Sequence, residues 1–200
     1  MTAANAISLA RVLIAPLFAV AFIRSQGDTH TLWWLWIAFS VLIIISVSDF
    51  LDGFIARRFN QVTDFGKLFD PLSDSLCNQI VFVSFVVTGI IPFWMLLMIL
   101  YRETTLIIIR FVSLRQNVVV AARFTGKLKT FLQGVAVFCV MSYCIAQHYA
   151  PHLLPSLVGG HHPAYWIMLS AVIASVLSMV DYIIAHRTTL IAAMNPQKQS

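Results

Sequence analysis

Charge is what this sequence has least of. Only 10% of its 200 residues are Asp, Glu, Lys or Arg, and 60% are hydrophobic; an ordinary soluble domain carries roughly 25% charged residues. That balance excludes a freely soluble globular domain. Strand-like alternation of apolar and polar residues is missing, which excludes a transmembrane β-barrel. Cysteine is sparse. Cys77, Cys139 and Cys144 sit inside apolar runs without metal-ligand spacing, so neither a disulfide framework nor a thiolate metal centre is expected. The N-terminus lacks a basic opening segment and a cleavage site, so its apolar run reads as a membrane span rather than a leader. Internal repeats and low-complexity segments are absent, and no appended module is expected.

What fills the chain instead is a series of long apolar runs such as "FSVLIIISV" and "LSAVIASVLSMV". A helix needs about 20 apolar residues to cross a bilayer. Six spans are predicted, at 5–25, 31–56, 67–90, 92–114, 125–148 and 163–186. The fold class expected is therefore an all-α integral membrane bundle of six transmembrane helices, with residues 1–200 forming a single domain. Basic residues set the orientation. The second connection holds Arg57, Arg58 and Lys67, the fourth holds Arg115, Arg123, Lys127 and Lys129, and the C-terminus holds Arg187 and Lys198. The positive-inside rule places these, and both termini, in the cytoplasm. The net charge of +5 is thereby assigned to topology and anionic lipid, and no nucleic-acid partner is expected. Trp33, Trp34 and Trp36 read as interfacial anchors. His148, His152, His161 and His162 read as solvated loop residues on the opposite face.

Against this background one stretch stands out. "SDFLDGFIARRFNQVTDFGKLFDPLSDS", residues 48–75, carries five of the eight acidic residues of the chain: Asp49, Asp52, Asp64, Asp70 and Asp74. An aspartate at the bilayer centre costs about 2.5–3.5 kcal/mol on insertion scales. Four unpaired ones would cost on the order of 10 kcal/mol, which rivals the stability of a whole domain. The acids must lie near the interface, or be neutralised, or both.

Helical spacing of about 100° per residue places Asp49, Asp52, Gly53 and Ala56 on one face of the second span. Gly66, Asp70 and Asp74 share a face of the third, unless Asp70 caps a helix that starts at Pro71. Gly53, Ala56 and Gly66 allow close approach of a backbone or ligand. Two such faces can converge on one pocket. Four oxygen donors with no Cys or His among them suit one or two hard divalent cations, Mg²⁺ or Mn²⁺. Magnesium commonly completes its shell with substrate phosphates, so a phosphate-bearing substrate at the membrane surface is expected. Two other readings stay open: structural pairing of the acids with Arg57, Arg58 or Arg110, and a cation-coupled transporter.

These same residues carry a resemblance. Asp49-x2-Asp52-Gly53-x2-Ala56-Arg57-x8-Gly66-x3-Asp70-x3-Asp74 matches the whole motif of the CDP-alcohol phosphatidyltransferase family. Further segments, "NAISLARVLIAPLF", "TDFGKLFDPLSD", "YRETTLIIIR", "VVAARFTGKLKTFLQ" and "SMVDY", resemble its bacterial phosphatidylglycerophosphate synthase branch. Two departures are Ser75, where that branch usually has Lys, and "ARFT" before Gly126.

The resemblance implies a six-helix membrane fold, usually homodimeric, in the inner membrane with its active site facing the cytoplasm. It implies transfer of a phosphatidyl group from CDP-diacylglycerol to a small phosphorylated alcohol, glycerol 3-phosphate in this branch, with release of CMP. Another alcohol (inositol phosphate, serine or choline) is the alternative. Asp49, Asp52, Asp70 and Asp74 become the expected metal ligands, and Asp74 the expected general base. Gly53, Ala56, Arg57 and Gly66 become donor-binding candidates. Asn5 and Ser8, one turn apart on the first helix, join them. Arg fits phosphate in a forked geometry, and Arg110, Lys127 and Lys129 are the candidates for the acceptor phosphate.

Overall fold

The apolar runs fold as six helices. In the computed structural model α1 spans Ala3–Arg24, α2 Thr31–Arg58, α3 Asp64–Val87, α4 Phe93–Arg115, α5 Phe124–Tyr149 and α6 Pro163–Ala185. The structure describes residues 3–27, 31–58, 64–115, 124–152, 158, 161–185 and 187. Within the helices, the side chains at 3–5, 50, 52–58, 64–68, 70–71, 110–115, 124–125 and 127 lie outside the described residues. Among the described residues the only extended pairing is an isolated bridge between Val158 and His161.

Among the described residues, four segments are long and apolar enough to cross a membrane, Ala6–Arg24, Thr31–Asp49, Leu128–Tyr149 and Pro163–Ala185, and Leu72–Val87 is a shorter apolar segment. Asp49 lies nine residues before the end of α2, and Asp74 ten residues after the start of α3. The helix runs on through Pro71, so Asp70 lies inside it and does not cap its start.

The chain divides into two compact units. The first comprises Met1–Pro92 and Met141–Ser156. Here α1 packs against both α2 and α3. Phe18 and Phe22 stack with ring centroids 5.6 Å apart, and Phe85 of α3 meets them edge-on at 6.4 and 5.1 Å. All three are fully buried. In lipid the contacts gain through close packing rather than escape from water, and each aromatic pair contributes about 0.5–1.5 kcal/mol. At the start of α2 the Arg24 guanidinium lies 5.4 Å from the Trp34 ring centroid. Trp33 is exposed, as an anchoring side chain would be. Gly89 ends α3 with φ +74°. Its N–H donates to the Val86 carbonyl and that of Ile90 to the Phe85 carbonyl, a Schellman closure that requires the left-handed conformation glycine adopts without strain.

The second unit comprises Phe93–Val140 and Leu157–Ser200. In it α4 packs against α6. The buried face of α6 is Ala164, Met168, Ala171, Val172, Ser175, Ser178 and Tyr182; the small members permit close helix approach. Leu106, Ile109 and Tyr182 form a core cluster there. Before α6, His161 stacks on Tyr165 at 4.2 Å, and His162 Nδ1 accepts from the Ala164 N–H at 3.3 Å. His162 is half-buried, and that burial pushes its pKa below the usual histidine value.

Candidate active site

Three helices of the first unit meet at one cation. Arg11 comes from α1, Asp49 from α2, and Asp74 from α3. Arg11 Nη1 donates to Asp49 Oδ1 at 2.6 Å, and Nη2 donates to Asp74 Oδ1 at 2.6 Å. A guanidinium presents its donors in a fixed fork, so one side chain can set the spacing between two carboxylates on different helices. Charge-assisted bonds of this length are the strong ones.

The burial is lopsided. The Arg11 side chain is 1% exposed, whereas those of Asp49 and Asp74 are 54% and 42% exposed. The cation therefore approaches from the buried side and leaves the carboxylates open on the other. Ser8, one turn before Arg11, is fully buried, as is Ser73 beside Asp74; Ser73 Oγ has no hydrogen-bond partner among the described residues.

Of the expected metal ligands, the structure brings Asp49 and Asp74 together. The side chains of Asp52 and Asp70 lie outside the described residues, as do those of Asn5, Gly53, Ala56, Arg57, Gly66, Arg110 and Lys127. Among the described residues, no three His, Cys, Asp or Glu side chains gather as a metal site. The donors present are nonetheless hard carboxylate oxygens held side by side and partly open, which fits Mg²⁺ or Mn²⁺. Ser75 is buried, and its Oγ accepts from Gln79 Nε2 at 3.1 Å.

The second unit holds another charged cluster. Arg102 Nη1 donates to Glu103 Oε1 at 3.0 Å, and Nη2 to Ser178 Oγ at 3.5 Å. Lys129 Nζ donates to the same Glu103 oxygen from α5. Lys129, expected at an acceptor phosphate, is thus 3% exposed and held by an acid. One turn further along α5, Gln133 is also 3% exposed, and neither Nε2 nor Oε1 has a partner among the described residues. An unpaired buried polar group costs roughly 1–3 kcal/mol, so this amide calls for a reason.

Arg11, Glu103 and Gln133 were not among the residues that sequence reasoning picked out. Glu103 had a usable signal, as the one glutamate of the chain placed within an apolar run. Arg11 had a weaker one, a cation inside a span whose only other charge is Arg24 at its end.

Comparison with known proteins agrees with the motif. Residues 1–177 match the family model described as CDP-alcohol phosphatidyltransferase. The chain is 28% identical over 180 residues to a probable phosphatidylglycerophosphate synthase of Mycobacterium tuberculosis, covering 90% of this chain and 79% of that one. It is 34% identical over 144 residues to the CDP-diacylglycerol–glycerol-3-phosphate 3-phosphatidyltransferase of Bacillus subtilis, covering 68% and 75%. It is 35% identical over 133 residues to a CMP-forming cardiolipin synthase of Streptomyces coelicolor, covering 66% and 60%. With most of its length matched and its acidic motif intact, the chain belongs to the CDP-alcohol phosphatidyltransferase family.

Proposed function

We propose that this membrane enzyme transfers the phosphatidyl group of CDP-diacylglycerol to glycerol 3-phosphate, forming phosphatidylglycerophosphate and CMP in phospholipid synthesis. The observation that carries the reading is the pair Asp49 and Asp74, set side by side by Arg11 and open on the side away from it. The names of the M. tuberculosis and B. subtilis relatives support the acceptor.

Asp49, Asp52, Asp70 and Asp74 would hold one or two Mg²⁺ or Mn²⁺ ions, which when bound supply positive charge against the diphosphate and the departing CMP. Asp74 accepts the proton of the acceptor hydroxyl. As that oxygen bonds to the phosphorus next to diacylglycerol, the bond from that phosphorus to the bridging diphosphate oxygen breaks and CMP leaves. Arg11 keeps Asp74 oriented from behind. Gly53, Ala56 and Gly66 clear room for the cytidine nucleotide, and Arg57, Asn5 and Ser8 contact the donor. Arg110, Lys127 and Lys129 are assigned to the acceptor phosphate.

The six helices are read as one membrane domain of the inner membrane, usually dimeric, with both termini and the active site cytoplasmic. The likeness to a cardiolipin synthase favours a second reading, in which the alcohol is a lipid.

The test is release of CMP by purified enzyme from labelled CDP-diacylglycerol with Mg²⁺ or Mn²⁺. The acceptor panel is glycerol 3-phosphate, phosphatidylglycerol, inositol phosphate, serine and choline. Release confined to glycerol 3-phosphate is expected. Release with phosphatidylglycerol in its place establishes the second reading, and release with none of them refutes both.

A further inference from the structure

Arg11 occupies the same atom of each acid it holds. Its two terminal nitrogens take Asp49 Oδ1 and Asp74 Oδ1, each at 2.6 Å. All three residues belong to the first unit. The guanidinium is a rigid plane, and its side chain is 1% exposed, so it cannot swing aside as a solvated cation does. Whatever else each carboxylate meets, one of its oxygens is committed to the buried side. The fork also sets the span between the two acids, which stay open on the other side.

Divalent ions differ in what they ask of carboxylates. Ca²⁺ takes about six to eight oxygens at about 2.3–2.6 Å in flexible geometry, and a carboxylate often serves it through both oxygens. Mg²⁺ demands near-octahedral geometry at about 2.0–2.1 Å, keeps several waters, and is held by few carboxylates. Selection between them rests on cavity size, ligand number and flexibility. A carboxylate with one oxygen in a charge-assisted bond is a poor chelate and a good single-oxygen ligand. Two acids at a set span do not spread for a larger ion.

We propose that Arg11 makes this site select Mg²⁺ or Mn²⁺ over Ca²⁺, by holding one oxygen of Asp49 and one of Asp74 so that neither acid chelates and the pair cannot widen. Arg11 acts through the acids and is a positioning residue; this rests on the reading above that Asp49 and Asp74 hold the ion. Without the fork, Oδ1 of each acid is released, and the larger ion gains more than the smaller. Loss of a nearby positive charge also strengthens the binding of every divalent ion. Ions of equal charge share that effect, so it cancels in the ratio of their affinities.

The test uses the full-length enzyme in detergent. Bound Mn²⁺ is followed by electron paramagnetic resonance, and Mg²⁺ and Ca²⁺ are each titrated in to displace it. The readout is the ratio of their apparent dissociation constants. The wild type is expected to hold Mg²⁺ more tightly than Ca²⁺. Arg11→Met is expected to shift the ratio toward Ca²⁺ on the order of tenfold, the low end of what loss of an outer partner does to metal affinity. Arg11→Lys, which keeps the charge and loses the fork, is expected to shift it the same way by less. A merely structural role would weaken both ions alike and leave the ratio unmoved.

Ca²⁺ that displaces Mn²⁺ from the wild type as readily as Mg²⁺ does overturns the proposal without recourse to any variant. A ratio unmoved in either folded variant overturns it too, and Arg11→Lys carries the comparison if Arg11→Met does not fold. Absence of saturable Mn²⁺ binding in the wild type overturns the metal reading itself, and this inference with it. With Mn²⁺ bound and the ratio unmoved, the inference alone falls.

Discussion

Arg11 lies behind Asp74. Its Nη2 reaches Asp74 Oδ1 at 2.6 Å across 63 positions of chain, while its other terminal nitrogen holds Asp49. A cation buried to 1% exposure joins two carboxylates that remain about half exposed. The arrangement explains how a strongly apolar unit carries acids at a helix junction and still presents them outward.

Arg11→Met should loosen this junction. Breaking a fully buried pair costs about 3–5 kcal/mol. With the acids half exposed, solvent screening reduces the expected loss to about 1–3 kcal/mol. Arg11→Lys should fall between, since an ammonium cannot serve two carboxylates through a rigid fork. Thermal unfolding in detergent reads both, and an unchanged Tm in Arg11→Met would contradict the bridging role.

Asp74→Asn should separate chemistry from folding. The amide oxygen still accepts from Arg11, so the protein should insert and unfold with a Tm near that of the wild type. Turnover should fall by roughly 100- to 10,000-fold, the span a general base commonly contributes. Near-normal CMP release in this variant would remove Asp74 from its assigned role.

The Glu103 cluster makes a different prediction. Glu103→Gln leaves Lys129 and Arg102 without their shared acid, and about 3–5 kcal/mol of stability should be lost. Adding Lys129→Met removes one of the stranded cations, so the double variant should be more stable than Glu103→Gln alone. Additive losses in denaturation of the three variants would show that the pair is not coupled.

His162 should give stability a pH dependence. Burial holds its pKa below the usual value of 6.5, so between the two values the unfolded chain binds the proton and the folded one does not. Stability should therefore fall as pH drops below about 6.5 and level off below the folded-state value. The same protonation removes the Nδ1 acceptor used by the Ala164 N–H. Tm measured from pH 7.5 to 5 should slope in the wild type and lose that component in His162→Asn; parallel curves would contradict it.

Much of the architecture was legible because membrane helices are local. Runs of apolar residues long enough to span define α1, α2, α5 and α6 directly, and the observed bounds lie a few residues from those expected. The acid-bearing stretches of α2 and α3 were legible for the same reason, since Asp49 and Asp74 stand out against apolar neighbours. What could not be read is pairing across the fold. Arg11 finds its partners 38 and 63 positions away, and nothing in its own helix indicates them. The bond from Lys129 to Glu103 was equally hidden, because the two lie 26 positions apart. Gln133 is one more polar residue in a helix, and only its burial without a partner among the described residues sets it apart.

The most direct test of the central claim is Mn²⁺ binding to the purified enzyme, followed by electron paramagnetic resonance. The acids of α2 and α3 are held to surround a divalent ion, so the wild type should take up one or two Mn²⁺, and Asp49→Asn and Asp74→Asn should each bind it at least about tenfold more weakly, the low end of the effect of losing a metal-site partner. Equal uptake by all three proteins, or CMP release by the wild type undiminished in excess chelator, would contradict the account.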